Sequence, residues 1–174
     1  MKTSLIAAVS TNFVIGKGSS LPWEMPADTR YFRRVTLHHH VIMGRTSFED
    51  ILHSTGSPLS DRINLVVSRS SHVPPPLQPH KNSVVIMPSP EAALGHAQEA
   101  GETEAFIIGG EQLFRYCLER DLVERMYITW IHGTFQGDTV FPRFDTTTWQ
   151  QTHREDFPAD AENPYPYSFT VWER

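Results

Sequence analysis

The chain holds 174 residues, 39% apolar and 20% charged, which fits one soluble domain (1–174) able to bury a real core. Its net charge of −5, from 15 Lys and Arg against 20 Asp and Glu, argues against a surface built for nucleic acid or anionic lipid. The single cysteine, Cys117, can neither close an internal disulfide nor anchor a Cys-rich zinc site, and it suits a reducing cytosol.

Short apolar runs alternate with amphipathic stretches of helix length, the pattern of an α/β sheet. Strands are expected at 4–10, 40–43, 63–68, 83–87, 105–109, 125–132, 150–157 and 167–173, and helices near 27–37, 46–53, 90–99 and 111–119. No apolar run approaches the roughly 18 residues of a spanning helix, so no membrane partner is expected. The run 5–9 is also too short for a secretion signal and reads as a buried first strand. Up to 105–109 the connections are long enough for crossovers, which favours parallel pairing. The loop 158–166 is too short for a crossover helix, so the last two strands should form an antiparallel hairpin at an edge.

After the first strand comes Gly16-Lys17-Gly18-Ser19, which lacks the first glycine of a phosphate-binding P-loop. Pro26 then suits the first position of a helix, with Asp28 in its first turn and Tyr31, Phe32 and Val35 on one apolar stripe. Asp28 has two readings. It can offset the helix dipole, or it can be the lone carboxylate of an apolar pocket made by Leu21, Trp23, Met25, Phe32 and Val35, paired with two N–H groups of a planar heterocycle. Glu24 is expected to face water. His38-His39-His40 is read as a solvated helix end, because consecutive side chains diverge, with metal binding the alternative.

Arg62, after the turn Pro58-Leu59-Ser60-Asp61, either pairs with Asp61 or clamps a substrate carboxylate. Four prolines between 74 and 79 exclude a central strand. Pro76-Leu77-Gln78-Pro79 could act as a polyproline ligand, although a rigid surface connection is the simpler reading. Cys117 sits in an apolar helix and reads as core. No zinc spacing, nucleophile elbow or G-x-G-x-x-G motif is present, so no metal is expected.

Three strand ends stand out. Val41-Ile42-Met43 runs into Gly44-Arg45-Thr46-Ser47, Asn64-Leu65-Val66-Val67 into Ser68-Arg69-Ser70, and Phe106-Ile107-Ile108 into Gly109-Gly110 and a helix. Ligands of open parallel sheets bind outside the carboxyl ends of the strands, where glycines and helix N-termini can cradle phosphates. A glycine after a strand is by itself an ordinary turn. The three ends together, with Arg45 and Arg69, suggest a dinucleotide or polyphosphate site, and two arginines on separate ends favour a 2′-phosphate, hence NADPH over NADH.

Ile15-Gly16, Leu21-Pro22-Trp23, Pro26-Ala27-Asp28, Val41 through Thr46, Ser68-Arg69, Ile108-Gly109-Gly110 and Gly137-Asp138-Thr139 with Phe141-Pro142 resemble, in order and spacing, the dihydrofolate reductases. The resemblance covers essentially the whole chain. It implies a central, mostly parallel eight-stranded sheet with an antiparallel C-terminal strand and four flanking helices. It also implies reduction of 7,8-dihydrofolate to tetrahydrofolate with NADPH, in a cytoplasmic monomer that antifolate inhibitors would target.

Carried over by match, Asp28 would bind the pterin 2-amino group and N3, Thr129 would support it, and Trp23 would hold a water. Ile6, Ala8, Phe32, Ser47, Ile51, Leu59 and Ile108 would line the substrate pocket, and Arg62 would hold the α-carboxylate of the glutamate tail. The cofactor would lie against Ala8, Ile15, Gly16, Leu21, Gly44, Arg45, Thr46, Ser47, Ser68, Arg69, Gly109, Gly110, Glu111, Gln112, Leu113 and Phe114. Residues 11–24 match the family's mobile loop. Thr29 and Phe114 depart from the residues usual there. Two rival functions are a pyrimidine reductase of riboflavin synthesis and a ligand-binding module without turnover.

Overall fold

The computed structural model describes residues 1–70 and 84–174. The polyproline spacing at 76–79 and Ser83, the first residue of an expected strand, lie outside them. In chain order the elements are β1 (Lys2–Ser10), β2 (Val14–Gly16), α1 (Pro26–Thr36), β3 (His40–Gly44), α2 (Arg45–Thr55), β4 (Ile63–Val67) and β5 (Val84–Met87). There follow α3 (Pro90–Glu99), β6 (Glu104–Gly109), α4 (Glu111–Glu119), β7 (Arg125–Ile131), β8 (Thr139–Val140), β9 (Gln150–Phe157) and β10 (Tyr167–Glu173).

Eight strands form one sheet in the order β5-β4-β3-β6-β1-β7-β10-β9. From β5 to β7 every neighbour is parallel. β10 is antiparallel to both β7 and β9, which makes the expected edge hairpin. β9 carries the exposed charges Arg154, Glu155 and Asp156, an arrangement that discourages a further strand from adding to this edge.

The pleat divides the core. On β1, Leu5 and Val9 join one buried cluster while Ile6 and Ala8 face the other side of the sheet. Ile42, Ala105, Ile107, Met126 and Ile128 continue the first side, where α3 supplies Ala93 and Ala97 and α4 supplies Leu113, Phe114 and Cys117. Val41, Met43, Phe106 and Ile108 continue the second, against Tyr31, Phe32 and Val35 of α1 and Phe48 and Leu52 of α2. Alternation with period two therefore covers both faces, as a central parallel sheet requires. Cys117 lies wholly in this core, and burial pushes its thiol up to about 12.

Two features depart from expectation. His39 and His40 are not a solvated helix end: their Nδ1 atoms lie 2.9 and 2.7 Å from the two carboxylate oxygens of Glu102, and His40 is buried at the start of β3. Burial alone would raise the Glu102 carboxyl. Hydrogen bonds from the His40 and His39 rings and from the His40 and Glu104 amides instead hold it down at about 2.

The second departure is the small sheet of β2 and β8, which packs residues 14–16 against 139–140. Gly137 permits this approach, since a side-chain carbon there would run into the Gly16 carbonyl oxygen and the Val14 Cγ1. Gly137→Ala should therefore destabilise the chain by about 1–3 kcal/mol, as overpacking does. Urea denaturation measures this; an unchanged midpoint would mean that residues 137–140 do not hold β2.

Candidate active site

The carboxyl ends of β3, β6, β1 and β7 lie side by side, and many of the expected site residues lie on these strands or on the elements beside them. Pro26 opens α1 and places Asp28 in its first turn. Asp28 is 9% exposed and lies on the side of the sheet that carries Ile6 and Ala8. Burial pushes its carboxyl up to about 6, while a hydrogen bond from the Thr129 side chain pulls the other way. Thr129, almost fully buried on β7, stands in register with Ala8 of β1 and Phe169 of β10.

Most of the apolar residues expected to line the pocket fall in two neighbouring clusters. Ile6, Phe32, Ile51, Leu59 and Ile108 belong to one cluster with Tyr31, while Ala8, Trp23 and Met25 belong to the next, which Tyr31 also joins. Tyr31 was not assigned to the site; it links the two clusters by stacking on Phe169 at 4.0 Å. The indole Nε1 of Trp23 is buried and meets no protein acceptor among the described residues. Leu21 is a correction to the sequence-derived pocket. It is 50% exposed and joins none of these clusters, so it does not wall Asp28. Glu24 faces solvent as expected, and Thr29 also lies on the exposed side of α1.

Arg62 closes the far end of this groove. Its Nε donates to the Ser60 carbonyl at 2.9 Å, its Nη1 donates to the Thr36 hydroxyl at 3.2 Å, and its guanidinium sits 5.8 Å from the Phe32 ring centre. Burial lowers its pKa, the neighbouring Arg33 lowers it further, and Asp61 acts in the opposite direction. The ion pairs among the described residues do not include Arg62; Asp61 stands instead 3.9 Å from Arg33. A buried guanidinium held by neutral groups suits an external carboxylate.

Two helices begin beside each other with bare N-termini. Gly44 precedes α2 and Gly110 precedes α4, and neither supplies a side-chain cap. No side chain among the described residues caps their first-turn N–H groups, an arrangement that suits an anion. The Ser47 hydroxyl lies over the Gly109–Gly110 turn, where a Cβ on Gly110 would come within 3.1 Å of it. Gly109 has φ of 136°, a conformation that favours glycine. Among the described residues Arg45 pairs with Glu49, at 3.5 Å on the surface, and Arg69 is exposed at the end of β4 beside Ser68.

Thr46 sits in the first turn of α2, and Gln112 is exposed in the first turn of α4. Leu113 and Phe114 turn their side chains into the core, and the Phe114 N–H is spent on the Gly110 carbonyl. Glu111 is engaged as well, by the Val140 amide at 3.0 Å and by Arg115 at 3.1 Å.

The loop after β1 is anchored on either side of Ile15 by Val14 and Gly16, which pair with Val140 and Thr139 of β8. The Gly18 amide donates to Asp138 Oδ2 at 2.9 Å, and the Asp138 amide donates to the Gly16 carbonyl at 3.1 Å. The sequence reading matched Gly137-Asp138-Thr139 without assigning it a role. A glycine followed by a short carboxylate was the available signal, because it is what a close backbone approach with an amide to cap needs.

These features meet an independent record of similarity. A family model described as dihydrofolate reductase matches residues 2–174. Dihydrofolate reductase type 3 of Salmonella typhimurium is 41% identical over 174 residues, covering 100% of this chain and 99% of that protein. Dihydrofolate reductase of Bacillus subtilis (strain 168) is 36% identical over 171 residues, covering 98% and 94%. The solved structure of dihydrofolate reductase from Enterococcus faecalis complexed with NADP(H) and RAB-propyl superposes with a TM-score of 0.85 at 29% identity, over 99% of this chain and 96% of that one. With the resemblance running from end to end, the chain belongs to the dihydrofolate reductase family.

Proposed function

We propose that this chain reduces 7,8-dihydrofolate to tetrahydrofolate with NADPH in the groove between α1, α2 and the ends of β1, β6 and β7, and that Asp28 is the residue on which the reaction turns. The observation that carries the assignment of roles is a single buried carboxylate, with its pKa raised to about 6, in an otherwise apolar cleft. Such a group stays mostly ionised at neutral pH. It can accept two hydrogen bonds from the 2-amino group and ring nitrogen of a pterin, each strengthened by the charge and the dry surroundings.

The bare N-termini of α2 and α4, with Thr46, Ser47, Gln112 and the Glu111 and Leu113 amides, fit the diphosphate of the cofactor. Ser68, Arg69 and Arg45 fit its 2′-phosphate. Ala8, Ile15 and Gly16, with Leu21 from the adjoining loop, are assigned to the nicotinamide end. NADPH supplies the hydride that reaches C6 of the substrate. What remains for the protein is to place the two rings and to favour protonation at N5, which makes C6 electrophilic. Ionised Asp28 stabilises the protonated ring through the pterin it holds. No histidine or lysine is assigned to the site, so water is the proton source, and the buried Trp23 indole N–H is suited to holding one.

At the other end Arg62 receives the α-carboxylate of the glutamate tail. Antifolate inhibitors would enter the same pocket against Asp28. The unit that works is taken to be a cytoplasmic monomer forming one domain over 1–174, since a single chain supplies every group named.

Two substitutions test these roles. A carboxyl whose pKa is higher folded than unfolded loses stability as the pH rises from 3.8 through about 6. Asp28→Asn should therefore be more stable than the parent at pH 7.5, by up to about 3 kcal/mol. Its turnover should fall by about a hundredfold or more. Urea denaturation and steady-state NADPH oxidation read the two effects, and unchanged turnover would refute the role of Asp28. Arg62→Leu should weaken dihydrofolate binding by about thirtyfold or more and leave a bare pterin almost unaffected. Calorimetry with both ligands decides, and equal losses would contradict the tail assignment.

A further inference from the structure

Asn12 lies outside the groove, in the turn between β1 and β2, yet its amide ties that turn to a loop 123 residues away. Its Nδ2 donates to the Phe135 carbonyl at 2.8 Å, and its Oδ1 accepts from the Phe135 amide at 3.2 Å. The same Oδ1 accepts from the Ser10 hydroxyl at 2.7 Å, and that hydroxyl in turn accepts from the Val14 amide at 2.9 Å. The side chain thus imitates a peptide group, giving one donor and one acceptor to a single residue as a strand neighbour would. These partners also settle which end of the amide is which, and no carboxylate could make the same set.

Phe135 is the reason this matters for chemistry. Its ring lies over Gly133, where a Cβ would come within 2.9 Å of it. It meets Trp23 edge-on at 5.0 Å between ring centres and Tyr165 at 4.9 Å. Trp23 is the residue whose buried indole N–H finds no protein acceptor among the described residues. The chain of contact therefore runs from Asn12 through the Phe135 backbone and ring to the indole.

We infer that Asn12 and Phe135 are positioning residues for the reaction: Asn12 locks Phe135, and Phe135 is the wall that holds the Trp23 indole where it can serve the substrate. This rests on the role proposed above for Trp23. Asn12 is itself exposed, so replacing it leaves the core intact.

The test combines single-turnover hydride transfer, KM values and the emission of Trp23, taken as the difference between each protein and its Trp23→Phe counterpart. Asn12→Ala, Asn12→Asp and Phe135→Leu should each slow hydride transfer about tenfold, with KM for both ligands within about twofold, and shift Trp23 emission to the red. In the Trp23→Phe background the same three substitutions should cost almost nothing further, because non-additivity marks residues that act through one another. Full additivity, or an unshifted emission in Asn12→Ala and Phe135→Leu, would overturn the inference. If Trp23→Phe alone left hydride transfer unchanged, the catalytic reading of Trp23 would fall. The emission would still decide whether Asn12 places it: a red shift supports the placement, and no shift refutes it.

Discussion

Burying the Asp28 carboxylate is the constraint around which the rest of this molecule is arranged. An ionised group taken out of water loses hydration, and burial accordingly pushes the Asp28 carboxyl up to about 6. The fold compensates only in part, through the Thr129 side chain on the neighbouring strand. What remains unsatisfied is the capacity to accept hydrogen bonds from a planar ligand. In the proposed function the same desolvation that lowers stability serves binding, and α1 has to be anchored well enough to bear it. Pro26 at its start, and the packing of Tyr31, Phe32 and Val35 against the sheet, provide that anchor.

The cofactor side follows a parallel logic with opposite sign. Two helices begin at adjacent strands, each after a glycine that offers no cap, so unpaired N–H groups are left facing the same crevice. An anionic ligand would satisfy them where neither capping glycine can. Arg62 extends the pattern, being a buried cation whose fixed partners are a carbonyl and a hydroxyl. At each of these places the protein stops short of neutralising itself, and in the proposed reaction the ligand completes the arrangement.

Much of this was legible in the residues. Short apolar runs set between helix-length amphipathic stretches located most strands of the main sheet. Pro26 with Asp28 announced α1, and the glycines at 44, 109 and 110 marked the strand ends where the cofactor is proposed to bind. What escaped was set by contacts distant in sequence. β2 and β8 are only three and two residues long, too short to show a period. The two histidines depend on Glu102, more than sixty residues away. Asp61 adjoined Arg62 in sequence but turned toward Arg33 in space. Leu21 looked like a pocket wall because it is apolar and near Trp23, yet the loop leaves it half exposed.

The central claim is that Asp28 is a desolvated carboxylate whose charge the fold tolerates for the sake of its ligand. A titration of the Asp28 carboxyl carbon by NMR, in the ligand-free chain from pH 3 to 9, tests it most directly. A midpoint near 6 agrees with the account. A midpoint close to the ordinary 3.8 would mean that water reaches the group freely, and the buried-carboxylate account of the site would be wrong.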